Sequence, residues 1–280
     1  LDHRLTDYKI ETTFVDTADM AAIEAAIRPN TKVIYFETIA NPSMKVAPVA
    51  PIVKIAHDRG VVVVCDNTFA SPYVMRPLDF GVDIVVESAT KFIGGHSDVL
   101  GGVICMKSDL LPDDFLEQIR WNTMVKLGAP LAPFNAWMLG RGIQTLSVRL
   151  ERACRSAATL AAYFETHPSV KQVWYPGLES HPQHQIAKQQ MPRFGGMLTF
   201  EVEDGNEALK VLDNLELSCF SASLGGVRTT TQIPALMAFL DIPIEQRLEM
   251  GIRDGMIRVS TGLEDVEDLI ADFDAALSHL

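Results

Sequence analysis

The sequence predicts an α/β protein: a mostly parallel sheet with helices on both faces, followed by a smaller α/β domain. Two observations carry this. From about residue 10 to 106, short β-rich apolar runs alternate with amphipathic stretches, the pattern of strands joined by helical crossovers. Beyond about residue 145 a second series of strand and helix candidates follows one long helical stretch. The chain has 280 residues, 48% hydrophobic and 21% charged, enough apolar side chain to fill the cores this requires.

The elements follow in order. "KIETTFV" (9–15) reads as a strand and "ADMAAIEAAIRP" as an amphipathic helix. "KVIYFE" is followed by the helical "PIVKIAHDRG", and "VVVVCDN" by "MRPLDFG"; then come "DIVVES" and "GGVICM". Around 132–166 apolar residues recur at three and four, which predicts one long helix kinked at Gly140 and Gly142. "VKQVWYP", "GGMLTFEV", "LSCFSAS" and "MIRVSTG" are the later strands, and "EDVEDLIADFDAALSHL" closes the chain as a helix with acids in its first turn. The division expected is residues 1–144 as a large domain and 145–280 as the linking helix with the smaller one.

Composition excludes several partners. A formal charge of -12 and a pI near 5.0 repel a phosphate backbone, so nucleic acid is not expected. The apolar runs are far too short to cross a bilayer, which predicts no membrane partner and a cytoplasmic location. Cys65, Cys105, Cys154 and Cys219 share no zinc-site spacing and read as reduced, mostly buried thiols; no metal is expected. The chain opens "LDHRLTDYKIETTFVD", without an initiator Met and with a strand almost at once, which predicts that its beginning is missing.

The chemistry starts at "VVESATKFIGG", where Lys91 follows an apolar run although an unpaired ammonium is costly to bury. A lysine desolvated at a strand's carboxyl end has a lowered pKa and attacks aldehydes. Ser88 and Thr90 offer hydroxyls, and Gly94 and Gly95 allow close backbone approach. Together they suit a phosphate-bearing aldehyde, with a plain surface lysine as the alternative. Asp66 ends "VVVVCD", a buried run on which a carboxylate needs a cation. A protonated pyridine nitrogen would serve; a helix-capping aspartate is the alternative. Twenty-five residues separate Asp66 from Lys91, enough for one crossover and one strand, which brings both to the same sheet edge. Asn41 in "ETIANP" can donate to a ring oxygen or a substrate carboxylate, or serve as a turn residue before Pro42. Three marked strand ends, Glu37 to Asn41, Asp66 to Thr68 and Ser88 to Lys91, are read jointly as a pyridoxal phosphate site at the carboxyl edge of the sheet.

"YFETIANP", "DNTFASPY", "SATKFIGGHSD", "YPGL" and "IRVSTGLEDVEDL" resemble the Cys/Met-metabolism pyridoxal phosphate enzymes, through nearly the whole chain. The resemblance implies the aspartate-aminotransferase-like fold, the PLP-dependent transferase fold type I. It implies that Lys91 bonds the cofactor aldehyde, that Asp66 pairs with the pyridine nitrogen, and that Ser88 and Thr90 hold phosphate, with Thr68 beside them in the cofactor set. Asn41 would touch ring oxygen and substrate, and Ser223 and Arg258 the substrate carboxylate. Arg258 makes sense unaided as well, since a guanidinium grips a carboxylate through two parallel bonds, although an arginine in a strand can also face solvent. The family's phosphate loop and ring-stacking tyrosine are absent before Asn41, and a homotetramer built from dimers is implied.

Family members commonly carry a glutamate where Arg228 stands, and "TTTQIPALMAFLDIP" replaces a stretch usually richer in His and Ser. An arginine there would favour a distal carboxylate or phosphate on the substrate; the alternative is Arg228 turned to solvent. His96, His181 and His184 read as structural. The expected reaction is γ-elimination on a sulfur-containing or activated homoserine-type amino acid, giving a 2-oxo acid, ammonia and the released γ-group. γ-Replacement is the alternative, and a non-catalytic member that keeps the fold a remoter one.

Overall fold

The computed structural model describes residues 5–280. Its first sheet contains β1 (Val33–Glu37), β2 (Val62–Asp66), β3 (Ile84–Glu87) and β4 (Val103–Met106), in that spatial order. The first three are parallel and β4 runs antiparallel to β3. Glu37 and Asp66 are paired neighbours in the register, as are Asp66 and Val86. Three carboxyl ends therefore finish at one level. α1 (Met20–Ala26) precedes β1, and the crossovers between the parallel strands carry α2 (Val49–His57) and α3 (Ser71–Val74). α2 buries Val49, Ile52, Val53 and Ala56, the three-and-four spacing that turns one helical face to the core.

After α4 (Phe115–Ile119), the long helical stretch is two helices, α5 (Pro133–Ile143) and α6 (Leu146–Thr166). The break falls at Gln144 and Thr145 and not at the expected glycines themselves. α6 joins the two cores, because Leu146, Leu150 and Cys154 pack in the first and Ala157, Leu160 and Phe164 in the second. There Phe164 stacks on Phe200 at 4.3 Å and meets Phe273 edge-on at 5.1 Å, each such pair adding about 1 kcal/mol beyond burial.

The second sheet has the order β5 (Gln172–Trp174), β6 (Met197–Glu201), β9 (Met256–Ser260), β8 (Thr230–Gln232), β7 (Cys219–Phe220). It is antiparallel except between β7 and β8. α7 (His184–Gln190), α8 (Gly205–Asp213), α9 (Ile244–Glu249) and α10 (Val266–Leu277) complete the chain. Asp204 caps α8 through the Asn206 and Glu207 amides, and Asp265 caps α10 through Glu267; such caps contribute about 1 kcal/mol each.

Two expectations need correction. "KIETTFV" forms no strand: residues 10–16 join no ladder, and Ile10 and Phe14 are exposed. Among the described residues no strand lies beside them, and backbone groups without a neighbour make no sheet. The cysteines are free, but only Cys65 and Cys154 are buried, while Cys105 is exposed. No helix among the described residues is long and apolar enough to cross a membrane, and none of their acidic, His or Cys groups clusters as a metal site.

Candidate active site

The carboxyl ends of β1, β2 and β3 open into a cavity of about 510 Å³ whose far wall comes from the second sheet. Asn41, Asp66, Thr68, Ser88, Lys91 and Arg258 all line it. After β1 the chain turns back on itself, with Asn41 N–H donating to Glu37 Oε2 at 3.0 Å. Asp66 is oriented at both oxygens: Oδ1 accepts from Thr68 N–H at 2.9 Å and Oδ2 from the Tyr35 hydroxyl at 3.3 Å. Thr68 Oγ1 in turn accepts from Ser88 N–H at 2.9 Å, so β2 and β3 are tied where their functional side chains emerge.

Lys91 sits in a single turn, its N–H on Ser88 O (3.0 Å) and its carbonyl accepting from Gly95 N–H (2.7 Å). Its Nζ donates to Ser223 Oγ at 3.2 Å. Burial, and then the Arg258 charge, push the Lys91 pKa down, the condition that makes an amine a base and a nucleophile. Arg258 lies on β9 and is 3% exposed. Its Nη1 donates to Asn41 Oδ1 at 3.1 Å and its Nη2 to the carbonyls of Ala222 (3.2 Å) and Ser223 (3.1 Å). Burial pulls its pKa down to about 10. Two buried donors at this wall, Arg258 Nε and Gln232 Nε2, have no partner, and Gln232 pairs with Arg258 in the β8–β9 register. An anionic group arriving there would satisfy them.

Three sequence candidates lie outside the lining. Ser223 touches the site through its bond to Lys91. Thr90 turns its hydroxyl away, donating to Gly101 O at 3.2 Å and accepting from Gly101 N–H at 3.0 Å. Arg228 is exposed and its Nη2 reaches Leu217 O at 3.4 Å. Beyond the Gly225–Gly226 turn, Arg228 thus stands outside the cavity lining, away from where a distal anion of the substrate would be read. His181 and His184 are buried on the carbonyls of Met44 and Pro176, a structural use, and burial brings His181 down to about 4.

Sequence reasoning passed over a second row. Next in sequence to Glu37, Asp66 and Ser88, on the other side of the sheet, Thr38 Oγ1 donates to Asn67 Oδ1 (3.0 Å), and Asn67 Nδ2 to Glu87 Oε1 (2.9 Å) and Met75 O (3.0 Å). The local patterns "DN" and "VVES" held a signal: a second polar residue directly beside the marked one, Asn67 after Asp66 and Glu87 before Ser88. Burial pushes Glu87 up to about 7; the Asn67 bond opposes this and the Asp66 charge adds to it. Below its ordinary value of 4.5 the carboxyl is protonated folded and unfolded alike. From there to about 7 the unfolded chain loses the proton first, so stability falls as pH rises through this window and stays reduced above it. Glu87→Gln is expected to match the wild type near pH 4.5 and to exceed it by about 1–3 kcal/mol at about pH 8. Urea denaturation at both pH values checks this; an equal difference at the two would refute it.

The residues present fit pyridoxal phosphate: an amine biased toward its free base, a doubly oriented carboxylate for a ring nitrogen, hydroxyls at Ser88 and Thr68 for phosphate, and unpaired donors at Arg258 and Gln232 for a carboxylate. Comparison with known proteins agrees. A family model described as Cys/Met metabolism PLP-dependent enzyme matches residues 1–278. L-methionine gamma-lyase of Fusobacterium nucleatum is 43% identical over 283 residues, covering 100% of this chain and 70% of that protein. Cystathionine beta-lyase of Coxiella burnetii is 44% identical over 266 residues, 95% of this chain and 68% of that one. The crystal structure of cystathionine gamma-lyase from Lactobacillus plantarum complexed with L-serine superimposes with a TM-score of 0.94 at 41% identity, over 99% of this chain and 71% of its own.

Proposed function

From the premise that the chain belongs to the Cys/Met metabolism PLP-dependent enzymes, with the fold of the cystathionine lyases and pyridoxal phosphate as cofactor, we propose that it is a carbon–sulfur lyase acting by γ-elimination on a sulfur-containing or activated homoserine-type amino acid. One observation carries the reading: Lys91 Nζ, its pKa depressed, shares a single cavity with the buried Arg258 guanidinium and the doubly held Asp66.

When bound, the cofactor supplies an electron sink that acidifies the substrate's Cα–H and then its Cβ–H. The chain does the rest. Asp66, fixed by Thr68 N–H and the Tyr35 hydroxyl, is set to hold a ring N–H. Arg258 and Gln232 hold the substrate carboxylate and so fix Cα near Lys91. Lys91 Nζ takes the Cα proton, with Ser223 Oγ keeping the amine in place. Apart from the Glu37 carboxyl, the remaining wall is apolar, with Ile39, Phe69, Leu224, Leu236, Met237 and Ala238, which supports an uncharged γ-arm such as a thioether over one ending in an anion. The exposed apolar stretch with Trp121, Leu127, Phe134, Trp137 and Val148 supports a homo-oligomer.

Purified protein loaded with cofactor is expected to convert methionine or a homoserine ester into 2-oxobutanoate, ammonia and the γ-group in equal amounts, while light scattering reports a mass above that of one chain. Pyruvate as the product from cystathionine would move the reading to β-elimination. A thioether formed only in the presence of added thiol, without 2-oxo acid, would move it to γ-replacement.

A further inference from the structure

Arg149, on the first turn of α6, is 6% exposed, and among the described residues no carboxylate pairs with it. Its donors go to oxygens without formal charge. Nε donates to Thr145 Oγ1 (3.0 Å), Nη1 to Phe92 O (2.8 Å), and Nη2 to Gly142 O (2.7 Å) and Ile93 O (3.3 Å). Phe92 and Ile93 directly follow Lys91 and are themselves buried. Their carbonyls sit in a turn that cannot continue as a helix, because Gly95 has φ +70° and sends the chain elsewhere; orphaned carbonyls of this kind need donors from outside.

The surroundings are shaped to admit that one group. A Cβ on Gly95 would lie 1.9 Å from Arg149 Nη1. A Cβ on Gly142 would lie 2.3 Å from Gly94 O and 2.8 Å from Ile93 O. The turn carrying Lys91, the end of α5 and the start of α6 thus meet on one planar guanidinium, whose rigid fork of donors no ammonium reproduces.

We infer that Arg149 is a positioning residue for Lys91: by holding the carbonyls of the two residues after it, the guanidinium fixes the lysine's backbone so that Nζ stays on Ser223 Oγ and inside the cavity. Arg149 itself touches neither cavity nor substrate. The inference rests on the reading of Lys91 as the residue that bonds the cofactor aldehyde.

Its test uses the full chain stripped of cofactor, then exposed to pyridoxal phosphate and quenched with borohydride at intervals, with the pyridoxyl adduct measured on the peptide containing residue 91. Arg149→Lys keeps the charge and loses the fork; Thr145→Val is milder and only frees Nε. Labelling is expected to slow by about tenfold or more in Arg149→Lys and by a few fold in Thr145→Val, since small misplacements of a reacting group cost up to roughly a hundredfold. kcat should fall in parallel, whereas KM, set by Arg258 on the other sheet, should change by less than about twofold. Wild-type labelling rates in both variants would overturn the inference. So would losses that follow the thermal midpoint and strike KM and kcat alike, the mark of a residue that only holds the fold. A wild-type protein with no adduct at residue 91 is a different failure: it removes the Lys91 reading itself, and the inference with it.

Discussion

Lys91→Ala is expected to lower turnover by at least about a thousandfold while leaving the protein folded. The size follows from the two duties of one amine, bonding the cofactor aldehyde and moving the Cα proton, each of which alone contributes on the order of 10²–10⁴. The folded state should hardly notice. The one hydrogen bond shown for Nζ is to Ser223 Oγ, and the amine is disfavoured where it stands by burial and by the Arg258 charge. Removing it costs one weak bond and relieves a repulsion, a balance within about 1 kcal/mol. Turnover within tenfold of wild type, measured as 2-oxo acid release from the purified variant, would mean that another group does this work.

Gly142→Ala is expected to destabilise by about 3 kcal/mol or more, and Gly140→Ala, two residues away in the same helix, to stabilise by about 0.5–1 kcal/mol. The contrast is purely one of surroundings. A Cβ at residue 140 meets nothing within 4 Å, whereas one at residue 142 would stand 2.3 Å from Gly94 O and 2.8 Å from Ile93 O. Those are backbone atoms of the lysine turn, and they can yield only by moving Lys91. Gly142→Ala should therefore also weaken cofactor capture, and Gly140→Ala should not. Urea denaturation of the two variants checks the signs; a shift in the same direction for both would show that helix propensity, and not the close approach, governs this region.

The lysine turn also shows what was legible beforehand. Lys91, Asp66 and Asn41 could be picked out because each ends or closely follows an apolar β-run, and both the run and the residues after it are features of a few consecutive positions. Thr90, in the same motif, could not be assigned that way: its hydroxyl faces Gly101, a partner supplied by the segment that leads into β4. Arg228 is a related case. It stood out against the glutamate that family members commonly carry there, but its partner, Leu217 O, comes from a segment 11 positions away. "KIETTFV" has strand composition, yet a strand exists only with a neighbour to bond.

The chain's residues alone determined its α/β class, the order of most of its strands and the chemical character of three strand ends, because alternation, β-branching and end chemistry are encoded over spans of five to ten residues. Only the tertiary structure decided which polar groups converge. Asn41 and Arg258 are bonded across 217 positions, Lys91 and Ser223 across 132, and Arg149 reaches Phe92 across 57. Such pairs depend on how two sheets are set against each other by α6. A side chain's direction and partner are fixed by packing from distant segments, and no local pattern carries that information.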